Sequence, residues 1–184
     1  IEAMQSEDGN VPDVAPAFWS FDQHSGNVTW PAAYICVADM LYRQYGDLRP
    51  VERHYASMKK WIEFIRDTRM KDDIVVCDVY GDWCMPPESP ELIWSKDPAR
   101  VTDGRLLGTS FYYRLLHTMA RFAELTGNGA DAADFLAQAA RVKKAYNDMF
   151  LHAEEGSYAN NTVTANIISL MQGLVPDSLA GRVF

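Results

Sequence analysis

The chain has 184 residues, 48% hydrophobic and 23% charged, with 17 Lys and Arg against 25 Asp and Glu for a net charge of −8. Such values suit one globular domain with a real core and exclude a disordered chain. The acidic balance argues against nucleic acid or an anionic membrane as partner, since both need clustered cations. No apolar run approaches the ~20 residues that span a bilayer.

Residues 1–5 read as the tail of a helix. Asp8-Gly9-Asn10-Val11-Pro12-Asp13-Val14-Ala15-Pro16 follows, dense in turn formers and without period, so it is loop. Residues 32–45 carry a helical stripe of Ile35, Met40, Leu41 and Tyr45 beside Val37 and Ala38. Pro31 sits near the first turn, and Gly46 ends the helix. Pro50 opens a second helix whose core face is Tyr55, Met58, Ile62 and Ile65 with Trp61, and whose outer face is Lys59, Lys60, Glu63 and Arg66. It ends near Met70.

Pro86, Pro87, Pro90 and Pro98 forbid a long helix in 71–105. Within that stretch, 73–80 is a candidate strand or extended segment. Helices follow at 106–126, with core candidates Phe111, Leu115, His117, Met119, Phe122 and Leu125, and at 130–150, with Phe135, Leu136, Ala139, Val142, Tyr146 and Phe150. A shorter helix spans 164–174, and 176–184 begins another. The chain starts Ile1-Glu2-Ala3-Met4 and stops inside that last element, so both ends read as cuts through a larger protein. Its compartment is therefore not legible.

The links between these helices alternate in length. Gly46-Asp47-Leu48-Arg49-Pro50 and Gly127-Asn128-Gly129 are short, whereas 8–30, 71–105 and 152–163 are long. A helix, tight glycine turn and helix recur about 80 residues apart, too far for the shorter helical solenoid repeats. In a ring of antiparallel helical hairpins, every second connection emerges on the same face. The long loops therefore gather at one end, the usual place for function. They carry Trp19, Trp30, Trp83 and Trp94, four of the five tryptophans, with many carboxylates. Aromatic platforms beside acids are what a carbohydrate site needs.

Cys36, Cys77 and Cys84 are an odd number, and neither they nor the four histidines show metal-ligand spacing. They read as free thiols, with a Cys77–Cys84 disulfide as the alternative. No cofactor is expected.

Four segments in order carry a resemblance. They are the Asp8-to-Pro16 loop; Trp30 ahead of Leu41-Tyr42-Arg43-Gln44-Tyr45-Gly46-Asp47 and then Tyr55, Met58 and Trp61; Tyr80-Gly81-Asp82-Trp83; and Thr164-Ala165-Asn166 running into Leu174-Val175-Pro176. Together they resemble the catalytic domain of α-L-rhamnosidases, the inverting glycosidases of glycoside hydrolase family 78, across almost the whole chain. The resemblance implies an all-α fold, helical hairpins forming part of an (α/α)6 barrel, with 1–184 as its central fragment. It implies a rhamnose-containing glycoside or polysaccharide as substrate and a periplasmic or extracellular parent. It assigns Trp30, Asp82 and Trp83 to the rhamnose pocket. It puts the general-acid Glu before Ile1 and the general-base Glu after Phe184, leaving the isolated chain inert. The departure is at Pro31-Ala32, where many relatives carry Gly-Asp or a small polar pair. That change removes one acidic contact to a sugar hydroxyl.

Bland readings compete with these. Trp83 also fits a loop anchor, and Trp30 a hydrophobic staple. Trp19 and Trp94 read as packing residues and Trp61 as core. Asp8 and Asp13 read as turn caps, Glu88 and Glu91 as solvated loop acids, and His117 as a core residue. His24, His54 and His152 read as exposed. Two further functions share the pattern. One is an (α/α)6 enzyme for another sugar, with Asp82 catalytic and paired with Asp13 or Glu7. The other is a non-catalytic helical-hairpin domain that binds protein or glycan. A partial barrel also exposes apolar helix faces, a route to self-association.

Overall fold

The computed structural model describes residues 1–16, 27–76, 78–80, 89–92, 95, 97 and 99–183. Trp19, His24, Cys77, Asp82, Trp83, Cys84, Glu88 and Trp94 lie outside them. Among the described residues there are five α-helices: α1 Ala33–Tyr45, α2 Arg49–Thr68, α3 Gly104–Leu125, α4 Gly129–Phe150 and α5 Val163–Met171. Two short antiparallel hairpins sit in the long connections. One pairs β1 Met70–Lys71 with β2 Ile74–Val75, and the other pairs β3 Leu151–His152 with β4 Ser157–Tyr158. Of the short strand or extended segment expected at 73–80, Ile74–Val75 form one strand of a hairpin. The β3–β4 hairpin was not legible, because two-residue strands leave no alternation to read.

The helix ends follow local chemistry. Gly46 closes α1 in the left-handed region at φ 65°, with its N–H on the Tyr42 carbonyl, and Gly127 turns the chain at φ 79°. Only glycine enters that region without steric cost. Pro50 lies in the first turn of α2, where no N–H is needed. The Asp103 carboxylate caps α3 by accepting from the Arg105 N–H at 2.8 Å, and the Thr162 hydroxyl caps α5 by accepting from the Ala165 N–H at 3.2 Å.

α3 is the centre of the packing and touches α1, α2, α4 and α5 as well as β2. It is buried on nearly every side, from Leu106 and Leu107 through Leu115, Leu116 and Met119 to Phe122 and Ala123. Short turns make α1–α2 and α3–α4 antiparallel hairpins. The starts of α1, α3 and α5 therefore share one end with the long connections. Polar ties pin the outer helices. Tyr55 and Lys59 of α2 both donate to Asp131 of α4, at 2.9 and 2.7 Å. The hydroxyls of Tyr146 on α4 and Ser169 on α5 are bonded at 2.7 Å.

Several expected core positions are not core. Met40 and Tyr45 are 49% and 78% exposed, because Tyr34, Ile35 and Ala38 set the buried face of α1. Leu136 is likewise exposed on α4. His117 is exposed, its ring edge-on to Tyr113 at 4.6 Å. Burial of part of that ring, reinforced by the nearby charge of Lys143, pulls its pKa below the ordinary histidine value. His54 is half-buried, with Nδ1 2.8 Å from a Glu2 carboxylate oxygen. Trp61 is fully buried, as the helical pattern requires. Val37, Met40, Val163, Ile167 and Met171 leave apolar surface on α1 and α5, the kind of face tied above to self-association.

Candidate functional site

The first two long connections are joined by buried polar side chains. Asp78 is only 7% exposed. Its carboxylate accepts from the backbone N–H groups of Val28 and Thr29 at 3.0 and 2.9 Å, and from the Thr29 hydroxyl at 3.2 Å. It also accepts from the Tyr80 N–H at 3.0 Å. Asn27 forms the second link. Its amide donates to Asp13 at 3.0 Å, and its carbonyl accepts from the Val79 N–H at 3.0 Å. A carboxamide offers an N–H donor and a carbonyl acceptor on one end. Buried polar atoms must find such partners, since leaving them unpaired costs roughly 1–3 kcal/mol each.

The N-terminal turn of α3 holds the second connection from below. A Cβ built at Gly104 would lie 2.0 Å from the Asp78 carbonyl oxygen, and one at Gly108 would lie 2.8 Å from the Asp78 Cβ. Gly104 lets the helix pass against the backbone of Asp78, and Gly108 makes room for the Asp78 and Val75 side chains.

On this frame stands one aromatic pair. The rings of Trp30 and Tyr80 are stacked, with centroids 4.6 Å apart and planes 8° from parallel. Trp30 is 40% exposed, so it is not a buried staple. The Tyr80 hydroxyl donates to Asp13 at 2.9 Å. Burial, and then the bond to Asp13, pushes the Tyr80 phenol up to about 12. Asp13 is itself 7% exposed. It receives both Asn27 and Tyr80, a loop-bridging use of the acid that goes beyond a local turn cap. Asp8 does cap its turn, accepting from the Ser6 hydroxyl and from the Asn10 N–H at 3.2 Å. Glu7 is exposed, and its carbonyl receives Lys60 Nζ at 2.5 Å. Position 32 is buried in the turn that starts α1.

The third connection is tied to the second. The Thr102 and Thr162 hydroxyls are bonded at 2.5 Å, and the Asn160 amide donates to the Val101 carbonyl at 2.9 Å. Asn166 accepts from the Tyr158 N–H at 2.9 Å and donates to Asn161 at 2.8 Å. The Thr164-Ala165-Asn166 segment is thus a brace for the β3–β4 hairpin.

A concavity of about 480 Å³ lies along α1, α3 and α5 toward the short turns, lined by Arg43, Arg114, His117, Arg121, Tyr113 and Met171. Asp39 takes both Arg43 and Arg121 there. Cys36 is a free, half-buried thiol whose pKa burial raises. Among the described residues no group of acids, histidines and cysteines could hold a metal ion.

The structure therefore places Trp30 at the long-loop end and adds Tyr80, Asp13, Asn27 and Asp78 around it. Asp82 and Trp83, the other two candidate residues, lie outside the described residues. Sequence reasoning missed Asn27 and Asp78. An isolated loop Asn or Asp carries only a turn signal, and their partners are about 50 residues away.

Paired antiparallel helices around a buried central helix, with their long connections joined at one end, define part of an (α/α)6 hairpin domain of the glycosidase type. The family can be stated as well. Residues 1–183 match the bacterial alpha-L-rhamnosidase 6 hairpin glycosidase domain, and the chain belongs to that family. It is 30% identical over 180 residues to an alpha-L-rhamnosidase of Alteromonas sp., covering 97% of this chain and 19% of that protein. The alpha-L-rhamnosidase structure from Dictyoglumus thermophilum superposes with a TM-score of 0.84 at 34% identity, over 98% of this chain and 19% of that one. The Streptomyces avermitilis alpha-L-rhamnosidase, solved in complex with L-rhamnose, gives 0.83 at 26% identity, over 98% of this chain and 16% of that one. The chain thus spans less than a fifth of the length of these relatives.

Proposed function

We propose that this chain is the central part of a single (α/α)6 catalytic domain, the rest of the ring coming from flanking sequence. The whole protein then hydrolyses terminal α-L-rhamnosyl residues with inversion. The chain supplies one wall of the sugar pocket through Trp30, Asp82 and Trp83. The observation that carries this reading is the exposed indole of Trp30, braced by Tyr80 among the long loops.

The chemistry fits the residue types. An indole face packs against the C–H and methyl surface of a 6-deoxy sugar. An ionised Asp82 accepts hydroxyl hydrogen bonds of the stronger, charge-assisted kind. Inversion needs one carboxyl group to protonate the leaving oxygen and another, roughly 6.5–9.5 Å away, to activate water on the opposite face. In this reading both come from glutamates outside 1–184, and no metal or organic cofactor takes part.

The test has two arms. Purified chain should give no turnover of an aryl α-L-rhamnoside, and measurable turnover would overturn the assignment of the acid and base to flanking sequence. L-Rhamnose should perturb the tryptophan fluorescence of the chain, and Trp30→Ala should abolish that response. No response in the chain, with an unchanged KM for Trp30→Ala in the whole enzyme, would overturn the sugar wall.

A further inference from the structure

Tyr80 opens the Tyr80-Gly81-Asp82-Trp83 motif. Its surroundings differ from those of an ordinary loop tyrosine. One face of the ring lies flat on Trp30, with planes 8° apart. The hydroxyl donates to Asp13 of the first connection at 2.9 Å, and the N–H donates to Asp78 at 3.0 Å. Asp78 in turn grips the N–H groups of Val28 and Thr29, next to Trp30 itself. Tyr80 is thus fixed at its ring, hydroxyl and backbone, and the acid that fixes its backbone also fixes the chain that leads into Trp30.

An exposed tryptophan on a loop has several rotamers, and ordering it on a ligand costs entropy that lowers affinity. A flat aromatic backing removes that cost before the ligand arrives. Bonding the backing ring to a buried carboxylate stops it from following the indole when the indole moves. A staple or core tryptophan would not need such a support, because packing on all sides would fix it.

We infer that Tyr80 is a positioning residue for the sugar wall: it holds the Trp30 indole in one orientation, anchored through its hydroxyl to Asp13, so that the indole presents a preformed apolar surface to the ligand. The inference rests on the reading that Trp30 lines the sugar site. Tyr80 does not itself touch the sugar in this arrangement. Because Tyr80 leads directly into Gly81-Asp82-Trp83, the same anchor fixes the point from which that segment departs.

The test reads the indole and the sugar separately. In spectra of the unmutated chain, Tyr80 ring protons should give NOEs to the Trp30 indole, and these should persist when methyl α-L-rhamnoside is added. The Trp30 indole resonance, assigned as the one missing from Trp30→Phe, should carry a ring-current shift. Tyr80→Phe should keep that shift, and Tyr80→Leu should lose it and broaden the line. Rhamnoside affinity should fall about threefold to tenfold in Tyr80→Leu and about twofold or less in Tyr80→Phe, with the thermal midpoint of both held as the structural control. If Tyr80→Leu fails to fold, the NOEs of the unmutated chain decide, and their loss on adding sugar overturns the inference. If the unmutated chain binds rhamnoside, Trp30→Ala does not, and Tyr80→Leu binds as tightly as the unmutated chain, the positioning role fails while the sugar wall stands. If the unmutated chain binds no rhamnoside and Trp30→Ala leaves the KM of the whole enzyme unchanged, the sugar wall fails and the inference falls with it.

Discussion

The two ends of the helical hairpins use the same residue types for opposite purposes. At the short-turn end, half-exposed Asp47 holds the exposed Arg49 in a surface pair at 2.8 Å, beside the open glycine turn at Gly46. At the long-loop end, Asp13 and Asp78 are buried, and N–H, hydroxyl and amide groups donate to them. The glycines differ in the same way. Gly46 and Gly127 have nothing within 4 Å of a built Cβ, whereas Gly104 and Gly108 are pressed against Val75, Asp78 and Val79. At one end the glycine turns are set by backbone torsion. The other is shaped by tertiary contacts that bind two connections together, as a site built on irregular backbone requires.

This contrast can be broken most sharply at Asp78. Asp78→Ala strands three backbone N–H groups and a hydroxyl, and should destabilise the chain by about 3 kcal/mol or more, read as a lower urea midpoint. A midpoint within error of the unmutated chain would show that the carboxylate does not join the connections. Gly104→Ala ranks next. The clash with the Asp78 carbonyl forces the backbone to shift, at about 1–3 kcal/mol. Gly127→Ala, by contrast, meets only the strain of its positive φ, about 1 kcal/mol. Equal melting losses for the two would remove the distinction between the ends.

A smaller effect is expected in alkali. Burial and the bond to Asp13 hold the Tyr80 phenol at about 12 against an ordinary 10.0. The folded state therefore binds that proton more tightly than the unfolded state does. The stability this contributes is complete below pH about 10 and is lost as pH rises through about 12. Spectroscopic titration of Tyr80→Phe should lose one late phenolate step and no early one; loss of an early step would mean that the bond to Asp13 is absent. Smallest of all, Asp47→Asn should leave the thermal midpoint unchanged, because exposed ion pairs contribute little.

Much of this was legible in the chain. The five helices fall within a few residues of their sequence-read bounds, because Gly46, Pro50 and Gly127 act locally and α2 carries a clean stripe at helical spacing. Trp61 could be assigned to the core, and the alternation of short and long links gave the end where the long connections gather. The faces of α1 and α4 were less legible. Met40, Tyr45 and Leu136 are as apolar as their buried neighbours, and nothing in the sequence says which apolar line meets another helix. His117 was misplaced for the same reason, since it sits among Leu115, Leu116 and Met119 yet points outward.

At the candidate site, Trp30 could be singled out because an aromatic residue in a long loop is conspicuous by itself. Tyr80, Asp13, Asn27 and Asp78 acquire their roles only from partners about 14 to 67 residues distant. By itself, then, the sequence determined the helices and their turns, because caps, glycine torsions and helical periodicity act within a few residues, while four motifs in order carried the resemblance to the family. Tertiary structure decided which acids are buried, which glycines are pressed against backbone and which ring supports Trp30, because those properties depend on chain segments meeting through space.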